Sequence, residues 1–434
     1  MNRTGYSFLL YLLSPVIWGY LLLRAIKAPE YRDGLLQRLG FSPKNIQTAG
    51  ILIHCASVGE TMAAKPLINH LISAYPNLSI TITTTTPTGK KAVLNTFADK
   101  VTHCYLPIDW PGCCKRFLNR LKPKIVILME TELWPNFVAH SAHNNIPIML
   151  ANARLSKKSL NKYLKFPKIS NELFSDISKV TAQYQSDQDN FLELGVHPEK
   201  IELVGSIKFD IEISKQLKQQ QADLRKQWLE KTNSTDNEPK ARPVWIAASI
   251  HPEEFELVLE THQLLLEKVP ELLLIAVPRH PEKFEQLKSD SKKHNLTFVS
   301  RSDNQAPDEN VQVVVGDTMG EMTLFCGLSD ISFVGGSLIE RGGHNPLEPI
   351  ACGAPVLMGP SYYNFSDVCQ ILINEKVMQV ILSAEELSIS IEKLLMDNRE
   401  LSVVAEKSLS IMQKYSGCVN KMIYQVNLLI EKKV

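Results

Sequence analysis

Two acidic residues stand close after apolar stretches in the first half of the chain, Glu130 directly and Glu60 after a Ser-x-Gly turn that opens a helix. Glu60 closes the segment HCASVGE, which follows the apolar run ILI, and Glu130 follows the strand-like run in KIVILMETELWPN. A carboxylate at such a point can serve as a general base that removes a proton from an attacking group. The helix dipole also favours acidic residues in the first turn, so Glu60 can have a purely structural role there. In the same way, Glu130 or Glu132 can be a cap of the segment that follows.

A lysine and an arginine occupy comparable positions. Lys208 lies in VGSIKFD and Arg154 in ANARLS, each directly after a stretch with the pattern of a strand. A lone lysine in a loop is usually solvated, but at the end of a strand it can also stabilise negative charge that develops during a reaction. These are the positions at which open α/β sheets carry their sites.

The second half is richer in groups that bind anions. Arg279 follows its strand in AVPRHPEKF, and an arginine can hold a phosphate or a carboxylate with two parallel hydrogen bonds. Two glycine-flanked loops, GDTMGEM and FVGGSLIERGGHNPLEP, run into predicted helices whose first N–H groups suit a phosphate. Glu348, in the first turn of the second of these helices, is placed to accept hydrogen bonds from a ribose. The alternative is a glycine-rich turn that has no ligand.

Several common motifs are incomplete or absent. TTTTPTGKK resembles a P-loop only at Gly89 and Lys90, and no G-x-G-x-x-G, H-E-x-x-H or G-x-S-x-G occurs. Asp187 and Asp189 form an Asp-x-Asp pair, but they lie in a helical stretch away from any strand end, and we interpret them as a solvated helix start. The eight cysteines include no C-x-x-C pair, which argues against a zinc site and against a disulfide framework. We therefore expect no metal site.

The elements that would position these residues alternate regularly. Short apolar runs separated by helical patterns occupy residues 51–205 and again 243–359, which predicts two α/β halves with doubly wound parallel sheets. The polar stretch 211–242 is predicted to be a helix followed by a linker, so the predicted domains are residues 29–210 and 243–434. Since ligands of such sheets bind beyond the carboxyl ends of the strands, the two halves predict a site in a cleft.

The N-terminus has a different character. The stretch from Thr4 to Leu23 is uncharged and long enough to cross or nearly cross a bilayer, and basic residues follow it. The positive-inside rule then predicts an anchor at residues 1–28 with the remainder of the chain in the cytoplasm. Pro15 and Gly19 allow a kinked or half-inserted anchor, while a buried or interfacial helix and a cleaved signal peptide are the alternatives.

The overall composition excludes two further classes of protein. The 434 residues include 47 Lys and Arg against 46 Asp and Glu, which gives a net charge of +1 and argues against a nucleic-acid partner bound through overall electrostatics. With 44% hydrophobic and 21% charged residues, the chain also has the composition of a folded protein rather than of a disordered one.

Seven segments together resemble one enzyme family. HCASVGE, ETELWPN, ANARLS, VGSIKFD, PRHPEKF, GDTMGEM and FVGGSLIERGGHNPLEP follow one another as in the bacterial Kdo transferases, the 3-deoxy-D-manno-octulosonic acid transferases of lipopolysaccharide synthesis. The resemblance extends from the N-terminal stretch to at least Pro360. It implies the GT-B glycosyltransferase fold, with two Rossmann-like domains and an N-terminal membrane-anchor helix, and a reaction without a metal or another cofactor.

The resemblance also implies roles for individual residues. Glu60 matches the general base, which would deprotonate a primary hydroxyl of the acceptor as it attacks the anomeric carbon with inversion. Glu130 and Lys208 match positions credited with stabilising the transition state. The positions that match the family's contacts with CMP are Pro278, Arg279, Met319, Gly320, Glu321, Asn345, Pro346, Leu347 and Glu348.

The implied substrates explain why such an enzyme would carry an anchor. The donor would be CMP-Kdo, and the acceptor a tetraacylated lipid A precursor, lipid IVA, at the cytoplasmic face of the inner membrane. A single-pass anchor in contact with inner-membrane lipids would bring the catalytic domains to that acceptor. The alternatives are a GT-B enzyme or an epimerase that uses a UDP-sugar, and a membrane-attached nucleotide-sugar binder without activity.

Overall fold

The chain folds into two compact units, each built on one sheet. The computed structural model describes residues 1–43, 46–229 and 242–431. The first unit comprises Met1–Asp210 and Tyr415–Val434, and the second comprises Ile211–Lys414. Each contains a seven-stranded, entirely parallel sheet. Two Rossmann-like units in one chain are the components of the GT-B fold, and the predicted fold class is confirmed.

The strands of the first sheet are the ones that the apolar runs predict, to within two residues at each end. They are β1 (Ile51–His54), β2 (Ile80–Thr84), β3 (Thr102–Tyr105), β4 (Ile125–Met129), β5 (Ile148–Ala153), β6 (Lys179–Ala182) and β7 (Ile201–Leu203). Their order in the sheet is β3-β2-β1-β4-β5-β6-β7. The order reverses between β1 and β4, and such a reversal is where open α/β sheets bind their ligands.

Both faces of the first sheet are covered. In β1, Leu52 packs with Phe117 on one face, whereas Ile51 and Ile53 pack with Leu67 on the other. Because successive side chains of a strand point to opposite faces, strands covered on both sides read as continuous apolar runs. The helices up to residue 193 are α1 (Arg3–Leu12), α2 (Ser14–Lys27), α3 (Leu35–Arg38), α4 (Val58–Ala63), α5 (Lys65–Ala74), α6 (Pro87–Phe97), α7 (Pro111–Leu121), α8 (Pro135–His143), α9 (Lys157–Leu164), α10 (Pro167–Ser175) and α11 (Gln185–Glu193).

The second sheet has the order β10-β11-β9-β8-β12-β13-β14, and its order reverses between β8 and β12. Its strands are β8 (Val244–Ile250), β9 (Leu273–Pro278), β10 (Phe298–Ser300), β11 (Val313–Val315), β12 (Ile331–Val334), β13 (Val356–Met358) and β14 (Met378–Val380). β14 is not predicted from the sequence, because three residues that include an exposed glutamine carry too little pattern. The helices of this part are α12 (Lys215–Leu229), α13 (Pro252–Leu266), α14 (Phe284–Lys293), α15 (Met322–Cys326), α16 (Leu347–Ala351), α17 (Ser366–Asn374), α18 (Ala384–Met396) and α19 (Asn398–Tyr415).

The helix predicted within 211–242 is α12, and it packs on the second unit. Arg225 donates from Nη1 to the Leu328 carbonyl at 2.7 Å and from Nη2 to Asp330 Oδ1 at 2.6 Å. Trp228 and Leu229 are buried in the core of the same unit. The predicted linker that follows this helix at 230–241 lies outside the described residues.

The last helix, α20 (Cys418–Glu431), belongs to the first unit, so the predicted domain 243–434 is wrong at its C-terminal end. Cys418, Met422 and Val426 pack in the first unit's core. The Asp210 carboxylate accepts the N–H groups of Gly417 and Val419 at the start of the helix, at 2.6 and 2.5 Å. An amphipathic pattern predicts that a helix packs but not on which sheet, and this explains the error.

The predicted N-terminal anchor helix is two helices instead of one. No single helix among the described residues is long and apolar enough to cross a membrane, and α1 and α2 meet the length and apolarity criteria only together, as a pair bent by 54°. The break lies at Leu13, because the ring of Pro15 stands in the first turn of α2 and prevents one continuous helix. Trp110 fixes the bend because it contacts both helices. Its ring stacks on Tyr11 of α1 and lies 6.3 Å from the Trp18 ring of α2, and its Nε1 donates to the Leu10 carbonyl at 3.2 Å.

Candidate active site

Glu60 lies where the first sheet reverses its strand order. The chain leaves β1 at His54 and turns through Ser57 into α4, whose first turn contains Glu60. Ser57 Oγ accepts the Glu60 N–H at 3.2 Å and donates to Glu60 Oε1 at 3.0 Å, while Oε2 accepts the Ala56 N–H at 2.8 Å. These bonds fix the orientation of the carboxylate. The capping role and a position suited to chemistry therefore belong to the same side chain.

The pKa of the Glu60 carboxyl group is raised from 4.5 to about 7. Burial is the largest cause, and the negative charges of Glu130 and Glu132 add to it, whereas the hydrogen bonds from Ala56 and Ser57 oppose it. The residue is 9% exposed. A carboxylate with a pKa near neutrality is a stronger base than an ordinary glutamate and is still partly ionised at pH 7, which are the properties required of a general base.

Glu130 follows β4, the strand on the other side of the reversal. Its backbone has a φ of 54°, in the left-handed region that residues other than glycine rarely adopt, and its N–H donates to the Ala151 carbonyl at 2.9 Å. Conformations of this kind cost roughly 1–3 kcal/mol and often occur at functional sites. The pKa of the Glu132 carboxyl is raised by burial and then by the charge of Glu130. The structure thus brings the charge of Glu130 close enough to raise the pKa of both Glu60 and Glu132.

Lys208 is placed on the same edge of the first sheet by Asn152. Asn152, near the end of β5, has a φ of 51° and accepts the Ile207 N–H on its Oδ1 at 3.1 Å. The short 3₁₀ turn Ile207–Phe209, which contains the partly exposed Lys208, is therefore held beside the carboxyl end of β5. Since β5 neighbours β4 in the sheet, Lys208 and Glu130 lie beside neighbouring strands at the same carboxyl edge.

Arg279 lies at the carboxyl edge of the second sheet. It directly follows β9, its N–H donates to the Ile250 carbonyl of β8 at 2.9 Å, and its side chain is exposed. Its charge lowers the pKa of the Glu348 carboxyl, although burial outweighs this effect and the pKa of Glu348 is raised. The predicted nucleotide contacts at Arg279 and Glu348 are therefore close in space despite their separation in the chain.

The helix that follows the glycine-rich loop offers less to a phosphate than the sequence suggests. α16 is only five residues long, and the N–H of its first residue, Leu347, already donates to Asn345 Oδ1 at 3.1 Å. Asn345 Nδ2 in turn donates to Glu348 Oε1 at 3.2 Å. Asn345 and Glu348 thus hold one another and present a rigid polar edge, in which the side chains rather than free N–H groups are the natural ligand contacts.

The loop Met319–Glu321 combines an open and an occupied part. Met319 is 69% exposed, and Gly320 has a φ of 83° with nothing within 4 Å of a Cβ placed on it. The Glu321 carboxylate is held by Arg301, which donates from Nη2 to Oε1 at 3.0 Å and from Nε to Oε2 at 3.2 Å, and by the Thr318 hydroxyl. The predicted contact residue Glu321 is therefore engaged in an internal ion pair that shapes the loop.

Glu254 is not singled out by any sequence motif, yet it organises the glycine-rich loop. The residue is 1% exposed. Its Oε2 accepts the N–H groups of His251 and Gly336 at 3.0 and 2.8 Å, and its Oε1 those of Ser337 and Leu338 at 3.2 Å each. One buried carboxylate thus fixes four backbone N–H groups of two loops.

Its position in the chain contains the signal that would have found it. Glu254 is the third residue after His251 at the start of α13, just as Glu60 is the third after Ser57 at the start of α4. Both helices follow the first strand of their sheet. Both carboxylates are buried, but Glu60 keeps 9% of its surface exposed whereas Glu254 keeps 1%.

The Asp-x-Asp pair differs from its prediction. Asp187 is 4% exposed, and its two oxygens accept the N–H groups of Leu155 and Tyr184 at 2.8 and 3.2 Å. The expected solvated helix start is wrong for Asp187, because its carboxylate caps α11 and ties it to the segment after β5; Asp189 is exposed. Within residues 1–43, 46–229 and 242–431, no three His, Cys, Asp or Glu side chains are grouped so as to hold a metal ion.

Comparison with known proteins identifies relatives along the whole chain. A model of the family 3-Deoxy-D-manno-octulosonic-acid transferase (kdotransferase) matches residues 33–211. The 3-deoxy-D-manno-octulosonic acid transferase of Haemophilus influenzae is 40% identical over 437 residues, which cover 100% of this chain and 100% of the relative. The protein of the same name from Bordetella pertussis is 30% identical over 383 residues, with 85% and 86% covered.

A solved structure gives the same result for the fold. The UDP-GlcNAc 2-epimerase of Neisseria meningitidis, bound to UDP-GlcNAc, superimposes with a TM-score of 0.53 and covers 87% of this chain and 99% of its own. At 14% identity this likeness concerns the fold alone.

Proposed function

The chain belongs to the 3-deoxy-D-manno-octulosonic acid transferase family, and on that premise we propose that it transfers Kdo from CMP-Kdo to a tetraacylated lipid A precursor, lipid IVA, with inversion and without a metal. The observation that carries the proposal is the Glu60 carboxylate, which is oriented by three hydrogen bonds, has a pKa of about 7 and lies at the strand-order reversal of the first sheet. Its pKa suits a general base, and it lies where open α/β sheets bind their ligands.

In this proposal Glu60 takes the proton from a primary hydroxyl of the acceptor. That oxygen forms a bond to the anomeric carbon of Kdo while the bond from this carbon to the phosphate oxygen breaks, and the electron pair leaves with CMP. Because the phosphate is a good leaving group, one carboxylate base is sufficient. Attack from the opposite side inverts the anomeric centre.

Glu130 and Lys208 take different parts in the same step. The negative charge of Glu130 raises the pKa of Glu60 and so strengthens it as a base. A carboxylate also favours the positive charge that develops on the sugar ring, whereas the ammonium of Lys208 favours negative charge on the oxygens around it. The two side chains therefore need separate tests.

The second unit supplies the donor contacts in this proposal. The exposed Arg279 guanidinium suits the phosphate of CMP, and its N–H donors would stabilise the charge that grows on the leaving group. The carboxylate of Glu348, held by Asn345, suits the ribose hydroxyls. Pro278, Met319, Gly320, Pro346 and Leu347 line the loops that carry these groups, and Glu321 fixes one of them through Arg301.

We further propose that α1 and α2 attach the protein to the cytoplasmic side of the inner membrane. The two helices pack on the first unit through Tyr11 and Trp18, which contact Trp110. Their outward side chains are apolar and more than half exposed, and among them are Phe8, Leu12, Val16, Leu23 and Ile26. Burial of such a surface in lipid lowers the free energy of the system, and it would bring the enzyme to an acylated acceptor.

The test is a mass-spectrometric assay of the purified full chain with CMP-Kdo generated in situ and the tetraacylated lipid A precursor. A product heavier by one or more Kdo units is expected and gives the number transferred. CMP binding without product would favour another acceptor or a binder without activity. Absence of both product and CMP binding would overturn the proposal, and turnover of a UDP-sugar would assign a different donor.

A further inference from the structure

Three histidines that the proposed mechanism does not use meet at the carboxyl edge of the second sheet. His251 directly follows β8, His280 is the second residue after β9, and His344 lies in the glycine-rich segment after β12. The His251 and His344 rings stack with their centroids 5.1 Å apart and their Nε2 atoms 2.9 Å apart. The His280 ring stands edge-on to His251, with 5.4 Å between the centroids.

The topology gives this cluster a specific place. β8 lies between β9 and β12 in the sheet, and the strand order reverses between β8 and β12. The three rings therefore sit at the reversal of the second sheet, the counterpart of the place that Glu60 and Glu130 occupy in the first. They also adjoin the proposed nucleotide contacts, since Arg279 directly precedes His280 and Asn345 directly follows His344.

The charged groups around the cluster are mostly cationic or already occupied. The Glu254 carboxylate accepts four backbone N–H groups, and the Glu253 carboxylate pairs with Arg341 Nη2 at 3.4 Å. The pKa of His344 is lowered to about 4, mainly by burial and then by the charges of Arg279 and His251. Among the described residues, the positive charges of Arg341 and Arg279 therefore act on His251 and His344, and the carboxylates of Glu253 and Glu254 are already engaged.

The contact between His251 and His344 has a chemical consequence. One ring donates through Nε2 and the other accepts there, so the two cannot both be protonated while they remain in contact. An anion placed beside the rings would offset the repulsion from the two arginines and favour a protonated imidazole. The cluster is therefore arranged to receive a negative charge rather than to provide one.

We propose that His251, His280 and His344 form an oxyanion-binding site for the acidic sugar-nucleotide donor, and that they contact its phosphate or its sugar carboxylate. This inference rests on the proposed function for the identity of the donor. It adds three residues, from three adjacent strands, that bind the donor's charged centre beside Arg279. Imidazole N–H groups at this point would donate hydrogen bonds to the bound anion and release the anion once the leaving group departs.

The test uses His280→Gln and His344→Gln in the full chain, with His197→Gln as the matched control. The His197 side chain is 64% exposed in the first unit, away from any proposed site, so this variant should behave as the wild type. His280 is exposed and His344 partly exposed, so these substitutions leave the core of the second unit in place. Calorimetric titration with CMP and with cytidine is combined with the KM for CMP-Kdo.

The two possible sources of the oxyanion give different results. If the rings hold the phosphate, affinity for CMP falls by about tenfold or more in both variants while affinity for cytidine is unchanged. If they hold the sugar carboxylate, affinity for CMP is unchanged and the KM for CMP-Kdo rises by about tenfold or more. Either result supports the proposal, and His280→Lys, which retains a cationic donor, should restore much of the loss.

Unchanged CMP affinity together with an unchanged KM in both variants would overturn the oxyanion site. The wild type separates this outcome from failure of the proposed function. If the wild type transfers no Kdo but binds CMP, the proposed function fails, and titrations with CMP and with CMP-Kdo decide on the site. A loss of affinity for either ligand in the variants supports the site, and unchanged affinity for both overturns it. If the wild type does not bind CMP either, both proposals fall.

Discussion

Replacing Glu60 by glutamine separates the two roles that its carboxylate has in the structure. The side chain caps α4 through Ser57 and Ala56, and it is also the proposed general base. Glutamine has the same shape and keeps one oxygen to accept the Ala56 N–H, but it cannot take a proton from a hydroxyl. We therefore expect the Glu60→Gln variant to fold, to bind CMP as the wild type does and to lose turnover by about 10²–10⁴-fold.

The raised pKa of Glu60 also makes a prediction about stability. The folded protein binds this proton more tightly than the unfolded chain does, with a pKa of about 7 against 4.5. The resulting destabilisation is absent below pH 4.5, grows as the pH rises and reaches its full value above pH 7. The difference corresponds to about 3 kcal/mol, and we reduce it to about 1–2 kcal/mol because the carboxylate is partly hydrated and because glutamine loses the bond from the Ser57 hydroxyl.

The Glu60→Gln variant should therefore be more stable than the wild type at pH 8 and gain little at pH 4.5. A gain of that size corresponds to a rise of about 2–8 °C in Tm for a unit of this length. Thermal unfolding at both pH values and Kdo transfer measured from pH 5.5 to 8.5 are the assays. Wild-type turnover should rise through an apparent pKa of about 7, and the small residual turnover of the variant should not.

Glu199→Gln is the matched control, because this glutamate of the first unit is 89% exposed. It should change neither the pH profile nor the Tm. A fully active Glu60→Gln variant would remove Glu60 as the base. An inactive variant with a lower Tm at pH 8 would refute the electrostatic reasoning, because it would mean that the ionised carboxylate stabilises the fold.

Three further predictions concern the nucleotide, the loop and the metal. Arg279→Ala should weaken CMP binding by about tenfold or more in a calorimetric titration, and an unchanged affinity would place the nucleotide elsewhere. Glu254→Gln should lower the free energy of unfolding by about 2–3 kcal/mol in urea, because an amide N–H₂ would then face backbone N–H donors, and equal stability would contradict that role. EDTA should leave turnover unchanged; a loss of activity restored by a divalent cation would direct attention back to Asp187 and Asp189.

Much of the fold is predictable because both sheets are buried on two faces. Runs such as those of β1 and β4 are apolar throughout, and their spacing leaves room for crossover helices. The same pattern locates Glu60 and Glu130, since a side chain that follows a parallel strand directly, or in the first turn of the next helix, lies at the carboxyl edge. The effect of Glu130 on the pKa of Glu60 follows from the adjacency of β1 and β4, which the sequence does not specify.

The features that escaped prediction depend on partners distant in the chain. The bend between α1 and α2 is fixed by Trp110, about a hundred residues away, and the membership of α20 by the core of the first unit. The family resemblance implies that Glu321 contacts the ligand, but its carboxylate is paired with Arg301. The capping position of Glu254 is visible in the sequence, but its bonds to Gly336, Ser337 and Leu338 are not, because these residues lie more than eighty positions away. Local pattern does not encode any of these.

The return of α20 to the first unit means that the polypeptide passes between the two units twice, near residues 210 and 415. The second unit is therefore an insertion within the first, and it can be excised as one continuous fragment, residues 211–414. The first unit cannot: a gene that ends at residue 210 would lack Cys418, Met422 and Val426 and would expose the core that they cover. Expression of the isolated first unit requires a short artificial loop that joins residue 210 to residue 415.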